Sequence, residues 1–204
     1  MVLAFLEESR TRGFLGPGPL EVHLSHALGF AGLVPTSGLV LDLGAGGGVP
    51  GLILLAALPE VRLTLLEANH RRCLFLADCV EQAGWSERAT VVEARAEDAG
   101  RMPGLRHQHD AVVARSFGAP AVTAECGAPF LRVSGVLVVS EPPQELVVTS
   151  ERWPTKPLAE LGLVRREIAL PSDSPRFVVF EALTSCPQRV PRRDGMPAKR
   201  PLFQ

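Results

Sequence analysis

The stretch Val40-Leu41-Asp42-Leu43-Gly44-Ala45-Gly46-Gly47-Gly48-Val49-Pro50-Gly51 decides the fold. An apolar run of strand-forming residues passes directly into glycines, and a helical pattern follows over residues 50–57. Glycine is needed at such a turn because the backbone must reverse sharply, and it approaches a ligand closely only where no Cβ stands in the way. The stretch therefore predicts a buried strand, a turn suited to binding a ligand, and a helix.

Two classes of ligand use a glycine turn of this kind. A dinucleotide requires G-x-G-x-x-G, with its pyrophosphate at the helix N-terminus, whereas S-adenosylmethionine is bound by D/E-x-G-x-G-x-G. Asp42 and the glycines at positions 44, 46 and 48 fit the second spacing, and the first occurs only with an offset start at Gly46. A carboxylate at Asp42 disfavours a pyrophosphate and suits a ligand with an ammonium and a sulfonium group. The spacing favours S-adenosylmethionine, and a glycine turn without a nucleotide is the alternative.

A second carboxylate stands at the end of the next predicted strand. Glu67 closes residues 62–67 and follows Gly44 by 23 positions. A carboxylate at this place can accept hydrogen bonds from both ribose hydroxyls of a nucleoside. Glu67 could instead only cap the helix that follows. Since this separation fits a dinucleotide equally well, the choice of ligand depends on Asp42.

Short β-rich runs alternate with longer helical patterns from Gly38 onward, which is typical of a parallel sheet with crossover helices. The predicted strands of this alternation are residues 39–43, 62–67, 89–93, 110–114 and 136–140. The predicted helices are residues 2–12, 20–33, 50–57, 70–83 and 119–131, with Asn69 as the N-cap of the fourth and Gly84 as its stop. A weak helix at 157–161, a strand at 164–170, a turn at 171–175 and a strand at 177–183 follow. The architecture is a seven-stranded, mostly parallel Rossmann-like α/β sheet with an antiparallel final pair.

Composition excludes several classes of protein. The chain has 204 residues, 46% of them apolar, which is enough for a sizeable core. With 21 basic and 22 acidic residues the net charge is −1, so affinity for nucleic acid must come from a local patch. The four cysteines are too sparse for a disulfide framework, and neither a signal peptide nor an apolar run of about 20 residues is present. We expect a cytoplasmic monomer without a metal site or a membrane segment.

The residues after the other strands narrow the chemistry, because open α/β sheets bind their ligands beyond the carboxyl ends of the strands. Arg95-Ala96-Glu97-Asp98 follows the third strand and is placed to read an adenine edge. Ala114-Arg115-Ser116-Phe117-Gly118 follows the fourth, where amine methylases carry Asn/Asp-Pro-Pro-aromatic. No cysteine follows a strand in the way a C5-pyrimidine methylase requires. A ring nitrogen such as guanine N7 stays a suitable acceptor, because its lone pair attacks without prior removal of a proton.

These residues resemble the bacterial small-subunit ribosomal RNA guanine-N7 methyltransferases, also called the glucose-inhibited division protein B family. The resemblance covers most of the chain, and the Val49-Pro50-Gly51 extension and the C-terminal motif are its most specific parts. The matching segments are His23-Leu24-x-x-x-Leu28, Leu41 to Gly51, Leu65-Leu66-Glu67-Ala68-Asn69-His70-Arg71-Arg72, Arg95-Ala96-Glu97-Asp98, Ala114-Arg115-Ser116 and Pro191-Arg192-Arg193-x-Gly195-x-Pro197-x-Lys199-x-Pro201-Leu202.

The resemblance implies a class I S-adenosylmethionine-dependent methyltransferase fold and methyl transfer to N7 of a guanine in 16S ribosomal RNA. Its partner would be that RNA or the small ribosomal subunit. It implies cofactor contacts at Gly44, Val49, Ala96, Glu97 and Arg115. The residues themselves add Asp42, Gly46, Gly48, Glu67 and the adjoining Ala68 to the predicted cofactor site. For Arg115 a surface ion pair is the alternative.

The chain departs from the family pattern at three places. His26 stands where the family has Asp, Ser140-Glu141-Pro142-Pro143 replaces Lys-Gly after the fifth strand, and the N-terminal helical region is short. Loss of a lysine there removes a cation that could hold an RNA phosphate. Two other functions therefore stay open: a paralogue that methylates another RNA or a small molecule, and a catalytically inactive S-adenosylmethionine-binding factor in ribosome assembly.

The chain divides into three predicted parts. Residues 1–36 form an N-terminal helical cap, residues 37–183 the methyltransferase domain and residues 184–204 a basic, proline-rich tail. Five basic residues and one acidic residue give the tail a charge of +4. Arg192, Arg193, Lys199 and Arg200 are predicted to bind RNA phosphates, and a tail that only aids solubility is the alternative. We assign no catalytic residue; His23 is structural or contacts RNA, and His70, His107 and His109 are expected to be exposed.

Overall fold

A seven-stranded sheet forms the centre of the protein in the computed structural model, which describes residues 1–142, 152–169 and 175–204. The strands are β1 (Ser37–Leu43), β2 (Glu60–Glu67), β3 (Ala89–Glu93), β4 (His109–Ala114), β5 (Leu131–Ser140), β6 (Leu163–Arg166) and β7 (Phe177–Ala182). The helices are α1 (Val2–Thr11), α2 (Leu20–Ala31), α3 (Gly51–Ala57), α4 (His70–Gln82), α5 (Ala96–Ala99), α6 (Pro120–Gly127), α7 (Thr155–Glu160) and α8 (Met196–Lys199).

The strand order is β3-β2-β1-β4-β5-β7-β6. Strands β1 to β5 are parallel, and β7 is antiparallel to both β5 and β6. The order reverses between β1 and β4, which is where open α/β sheets form their ligand crevice. The predicted sheet with its antiparallel final pair is confirmed.

The sheet is covered on both faces. Alternate strand residues point to opposite sides, so Val40, Leu63 and Val113 pack with α3 and α4, while Leu41 and Val112 pack with α6 and α7. Burial on both faces explains why the strands read as continuous apolar runs. The four cysteines are all buried and reduced, and burial raises the pKa of Cys73 and of Cys186 to about 11.

Two sequence predictions need correction. The predicted helix 119–131 ends at Gly127; a 3₁₀ turn over Ala128–Phe130 follows, and β5 begins at Leu131, ahead of the predicted residue 136. The early part of β5 is exposed and pairs with β4 through an irregular register, so it lacks an apolar strand signal. His109 is buried as the first residue of β4 and was wrongly expected in an exposed loop.

Parts of the predicted C-terminal half cannot be compared. Strand β6 covers Leu163–Arg166, whereas the prediction extended to Leu170, and the predicted turn begins at 171. Residues 170–174 and Pro143 of the Ser140 to Pro143 motif lie outside the described residues. In the part of the chain that the structure describes, no helix combines the length and apolar character needed to cross a bilayer.

Candidate functional site

The glycine turn follows β1 at the carboxyl edge of the sheet. Gly44, Gly46 and Gly48 all have positive φ, at +73°, +56° and +91°, a region in which a residue with a Cβ is strained. Ala45 N–H donates to the Leu66 carbonyl at 2.8 Å, which ties the turn to the end of β2. The glycines are thus required by the backbone path itself.

Glu67 organises the junction of the turn and β2. One carboxylate oxygen accepts the N–H of Gly46 at 2.9 Å, and the other accepts the N–H groups of Ala68 and Asn69, each at 2.8 Å. The side chain is buried, and its nearest cation is Arg72 at 3.9 Å. Backbone donors therefore hold a nearly buried negative charge at the rim of the crevice.

A cavity of about 510 Å³ opens in front of Glu67; we call it the donor cavity. This volume lies in the usual range for a small-molecule or cofactor site. Its lining combines apolar side chains with two carboxylates and two arginines: Gly44, Leu66, Glu67, Ala68, Arg72, Ala94, Arg95, Ala96, Glu97, Ser116, Phe117, Gly118, Ala119, Val122, Cys126 and Ala198.

Half of the predicted cofactor residues line this cavity. They are Gly44, Glu67, Ala68, Ala96 and Glu97. Gly46 and Gly48 shape the turn without lining the cavity, and Val49 is buried in a small apolar cluster with α1, α2 and α3. Asp42 and Arg115 also lie outside the lining, for reasons that their hydrogen bonds explain.

Asp42 is a buried carboxylate beneath the glycine turn. Its Oδ2 accepts the N–H of Gly51, the first residue of α3, at 2.8 Å, and its Oδ1 has no hydrogen-bond partner among the described residues. Burial raises the pKa of Asp42 to about 7; the charge of Glu67 adds to this, while the Gly51 N–H and Arg115 oppose it. Asp42 positions the turn against α3 and has no direct access to the donor cavity.

Arg115 follows β4 and pairs with α2. Its Nη2 donates to Nδ1 of His23 at 2.7 Å. Since arginine only donates, Nδ1 is the acceptor, and Nε2–H of His23 donates to the Gly16 carbonyl at 3.2 Å. Burial and the Arg115 charge lower the pKa of His23, which favours this neutral form. The motif histidine thus holds Arg115 in place.

A second cavity of about 300 Å³ lies beside the first; we call it the acceptor cavity. The two share Ser116, Phe117 and Gly118. A Cβ on Gly44 would lie 2.7 Å from the Phe117 ring, so this ring stands against the glycine turn between the two spaces. The acceptor cavity is further lined by His26, Arg115, Pro120, Thr123, Val139, Ser140, Glu141, Pro142, Arg152 and Trp153.

The departure from the family pattern after β5 lies in the acceptor cavity. Glu141 accepts hydrogen bonds from Arg152 Nε and Trp153 Nε1, each at 3.1 Å. The anion at this position is therefore paired with an arginine from the next described segment. Arg115 and Arg152 together give the cavity two guanidinium groups.

The predicted RNA-binding residues have different environments. Arg193, Lys199 and Arg200 are exposed. Arg192 instead forms a bidentate pair with Glu125 of α6, with Nε–Oε1 at 2.8 Å and Nη2–Oε2 at 2.6 Å. The positive charge of Arg192 is therefore paired with a carboxylate inside the protein.

Several residues of the donor cavity were not among the predicted site residues, Phe117 and Ala198 among them. An aromatic ring beside the Ala114-Arg115-Ser116 motif was the available signal for Phe117. Ala198 carried no chemical signal of its own. Within residues 1–142, 152–169 and 175–204, no group of three or more His, Cys, Asp or Glu side chains could hold a metal ion.

Comparison with known sequences gives one consistent result. A family profile described as GidB, rRNA small subunit methyltransferase G, matches residues 19–157. Ribosomal RNA small subunit methyltransferase G of Symbiobacterium thermophilum is 36% identical over 198 residues, covering 90% of this chain and 80% of that protein. The protein of the same name from Rubrobacter xylanophilus is 35% identical over 195 residues, covering 90% and 74%.

Solved structures share the fold at low sequence identity. Cofactor-bound Rv0187 from MTB has a TM-score of 0.63 and 18% identity, with 89% of each chain covered. A SAM-dependent O-methyltransferase from Thermotoga maritima has a TM-score of 0.56 and 14% identity, covering 78% of this chain and 64% of the other. These likenesses confirm the predicted methyltransferase fold.

Proposed function

Since this chain belongs to the GidB family, rRNA small subunit methyltransferase G, we propose that it transfers the methyl group of S-adenosylmethionine to N7 of a guanine in 16S ribosomal RNA. The observation that carries the proposal is the pair of adjoining cavities at the carboxyl edge of β1, β2 and β4, which share the wall of Ser116, Phe117 and Gly118. A methyl donor in one cavity and a base in the other would meet at this wall.

The residues of the donor cavity fit S-adenosylmethionine. Glu67, already bonded to three backbone N–H groups, keeps one lone-pair site, on Oε2, for a ribose hydroxyl. The apolar Leu66, Ala96 and Val122 suit the adenine, and the carboxylates of Glu67 and Glu97 suit a cationic ligand. When bound, the cofactor supplies an electrophilic methyl group.

The acceptor cavity would orient the nucleophile. N7 of guanine has a free lone pair, so the chain need only hold it in line with the methyl carbon, and proximity provides most of the rate. Phe117 offers an aromatic face on which a base can stack. Arg115, whose side-chain partner is the neutral His23, would bind a phosphate of the same nucleotide, whereas Arg152 is already paired with Glu141.

Methyl transfer from labelled S-adenosylmethionine to 30S particles and to naked 16S RNA tests the proposal. We expect label in the RNA at a single guanine that borohydride and aniline treatment cleaves. Label in another RNA, or in another position of the base, would support a paralogous activity and overturn the proposal. Cofactor binding without transfer to either substrate would support an inactive assembly factor and also overturn it.

A pair of matched variants tests the assignment of Glu67. Glu67 and Glu93 are register partners at the ends of β2 and β3, but Glu93 is exposed and pairs with His70. We expect Glu67→Gln to weaken S-adenosylhomocysteine binding by about 10- to 100-fold, the range for a charged hydrogen-bond acceptor, and Glu93→Gln to leave it unchanged. Equal affinities of the two variants in calorimetry would contradict the assignment.

A further inference from the structure

We propose that residues 192–198, within the C-terminal segment (residues 184–204), form one wall of the cofactor site, with Arg192 as the residue that positions this wall. The inference rests on the proposed function, since it takes S-adenosylmethionine as the ligand of the donor cavity. It differs from the prediction made from the sequence, in which Arg192 binds an RNA phosphate. Three sets of contacts carry it.

The first set fixes the start of the segment to the body of the protein. The buried guanidinium of Arg106 donates from Nη1 to the Val190 carbonyl at 2.8 Å, and from Nη2 to the carbonyls of Cys186 and Pro187 at 3.0 Å each. Cys186 and Val190 are themselves buried in the core below α6 and α7. The segment therefore belongs to the folded domain and is not a free arm.

The second set joins the segment to α6, the helix that lines both cavities. Glu125 of α6 is fully buried, and its carboxylate receives three donors of Arg192: the backbone N–H at 3.0 Å, Nε at 2.8 Å and Nη2 at 2.6 Å. A buried carboxylate requires such a partner, so this pair fixes where the chain turns after Pro191. Nη2 of Arg192 also donates to the Arg200 carbonyl at 2.6 Å, which closes the short α8 back onto Arg192.

The third set reaches the cofactor site itself. Gly195 has φ of +72°, and its N–H donates to Glu97 at 3.1 Å. Arg95 lies 3.6 Å from Glu97 and 3.1 Å from Asp194, and so bridges the cavity and the segment. Ala198 then lines the donor cavity together with Ala96 and Glu97. The segment thus faces the part of the cavity that the sequence assigned to the adenine.

The geometry separates two roles within the segment. Arg192 and Gly195 bond to the buried carboxylates of Glu125 and Glu97, and Ala198 lines the donor cavity. Arg193 and Lys199 are exposed and can contact RNA. An RNA contact by the exposed cations does not require Ala198 to line a cavity. The affinity for the cofactor, measured without RNA, therefore distinguishes the two possibilities. It depends on this segment if the segment lines the cofactor site, and it does not if the segment only binds RNA.

Calorimetry with S-adenosylhomocysteine tests the wall. Ala198 is exposed towards the open cavity, so Ala198→Trp should fold and fill part of the space for the ligand; we expect at least a tenfold loss of affinity. Ala159→Trp, on an exposed position of α7 away from the cavity, is the matched control and should bind as the wild type does. Affinity of Ala198→Trp within twofold of the wild type would overturn the inference.

A second variant tests the positioning role of Arg192. Arg192→Gln leaves Glu125 without its bidentate partner and should weaken S-adenosylhomocysteine binding, and Arg192→Lys should restore only part of it because lysine has no planar fork. Circular dichroism at the assay temperature confirms that the compared variants are folded. Full affinity in a folded Arg192→Gln variant would overturn this role. Failure of the wild type itself to bind would instead overturn the proposed function.

Discussion

Asp42 is buried and His26 is half-buried, and both lie close to Arg115. Desolvation shifts the pKa of each in the direction that favours its neutral form. The pKa of Asp42 rises to about 7. The pKa of His26 falls to about 4, through burial first and then through the charges of Arg115 and His23. In the folded state Asp42 therefore keeps its proton to a higher pH than in the unfolded chain. His26 loses its proton at a lower pH in the folded state than in the unfolded chain.

The consequence for Asp42 is a cost in stability at neutral pH. Between about pH 4 and pH 7 the folded state binds more protons at this site than the unfolded state, so the site destabilises the fold as pH rises through that window. We expect the free energy of unfolding of Asp42→Asn, relative to the wild type, to increase by more than about 1 kcal/mol from pH 4 to pH 7. Urea denaturation at a series of pH values measures this difference.

The control for this prediction is Asp78→Asn, which changes an exposed aspartate on α4. The free energy of unfolding of this variant should change with pH in the same way as that of the wild type. A parallel profile for Asp42→Asn would show that Asp42 is already charged in the folded protein.

At the residue scale, the sequence predicted that Glu67 and Gly44 lie at the carboxyl edge of the sheet, since both follow from where a strand must end, and both line the donor cavity. It could not predict where the Asp42 side chain points, because β1 is buried on both faces and has no polar alternation to mark a ligand side. It could not predict the Arg192 pair either. Glu125 and Arg192 are 67 positions apart, and only the packing of α6 brings them together.

Helix α4 shows how well local signals specify an element. The prediction of residues 70–83 with Asn69 as N-cap agrees with His70–Gln82, and the Asn69 side chain accepts the Arg72 N–H at 3.2 Å. Cap, apolar face and stop all lie within the helix or next to it. Strand β5 is the contrasting case, because its exposed residues 132–134 have no apolar pattern and its register with β4 is irregular there.

The apolar face of α4 leads to a quantitative prediction. Leu76 is fully buried in the core, whereas Leu74 on the same helix is 53% exposed. We expect Leu76→Ala to lower the free energy of unfolding by about 2–5 kcal/mol, through lost apolar burial and the cavity left behind. The matched change Leu74→Ala should cost less than about 0.5 kcal/mol. Equal losses of unfolding free energy in the two variants, measured by chemical denaturation, would show that α4 turns a different face towards the core.

At the scale of the whole molecule, the mostly parallel sheet with its antiparallel final pair and the family were predicted from the sequence, and the place of the C-terminal segment was not. Alternating strands and helices predict a parallel sheet from local pattern alone, and both the fold and the family are confirmed. The segment has neither an apolar period nor a long helix. Its attachment depends on single contacts with Arg106, Glu97 and Glu125, none of which is close in sequence.

The exposed cations of the segment give a prediction for RNA binding. Replacing Arg193, Lys199 and Arg200 by Gln should weaken binding to 16S RNA. It should also reduce the slope of log affinity against log salt by about 2 to 3, because each of the three lost phosphate contacts removes about 0.7 to 0.9. Filter binding at several salt concentrations measures both. The control replaces three exposed arginines elsewhere, Arg62, Arg71 and Arg165; an equal loss in that variant would show that no part of the surface is preferred.

The position of β7 between β5 and β6 affects how the protein can be made. A translating ribosome releases β6 before β7, so β6 has no neighbour in the sheet, and β5 presents an open edge, until residues 177–182 have left the exit tunnel. Unpaired strand edges attract other chains. A polypeptide interrupted between these two strands should therefore aggregate even though most of its core residues have been synthesised.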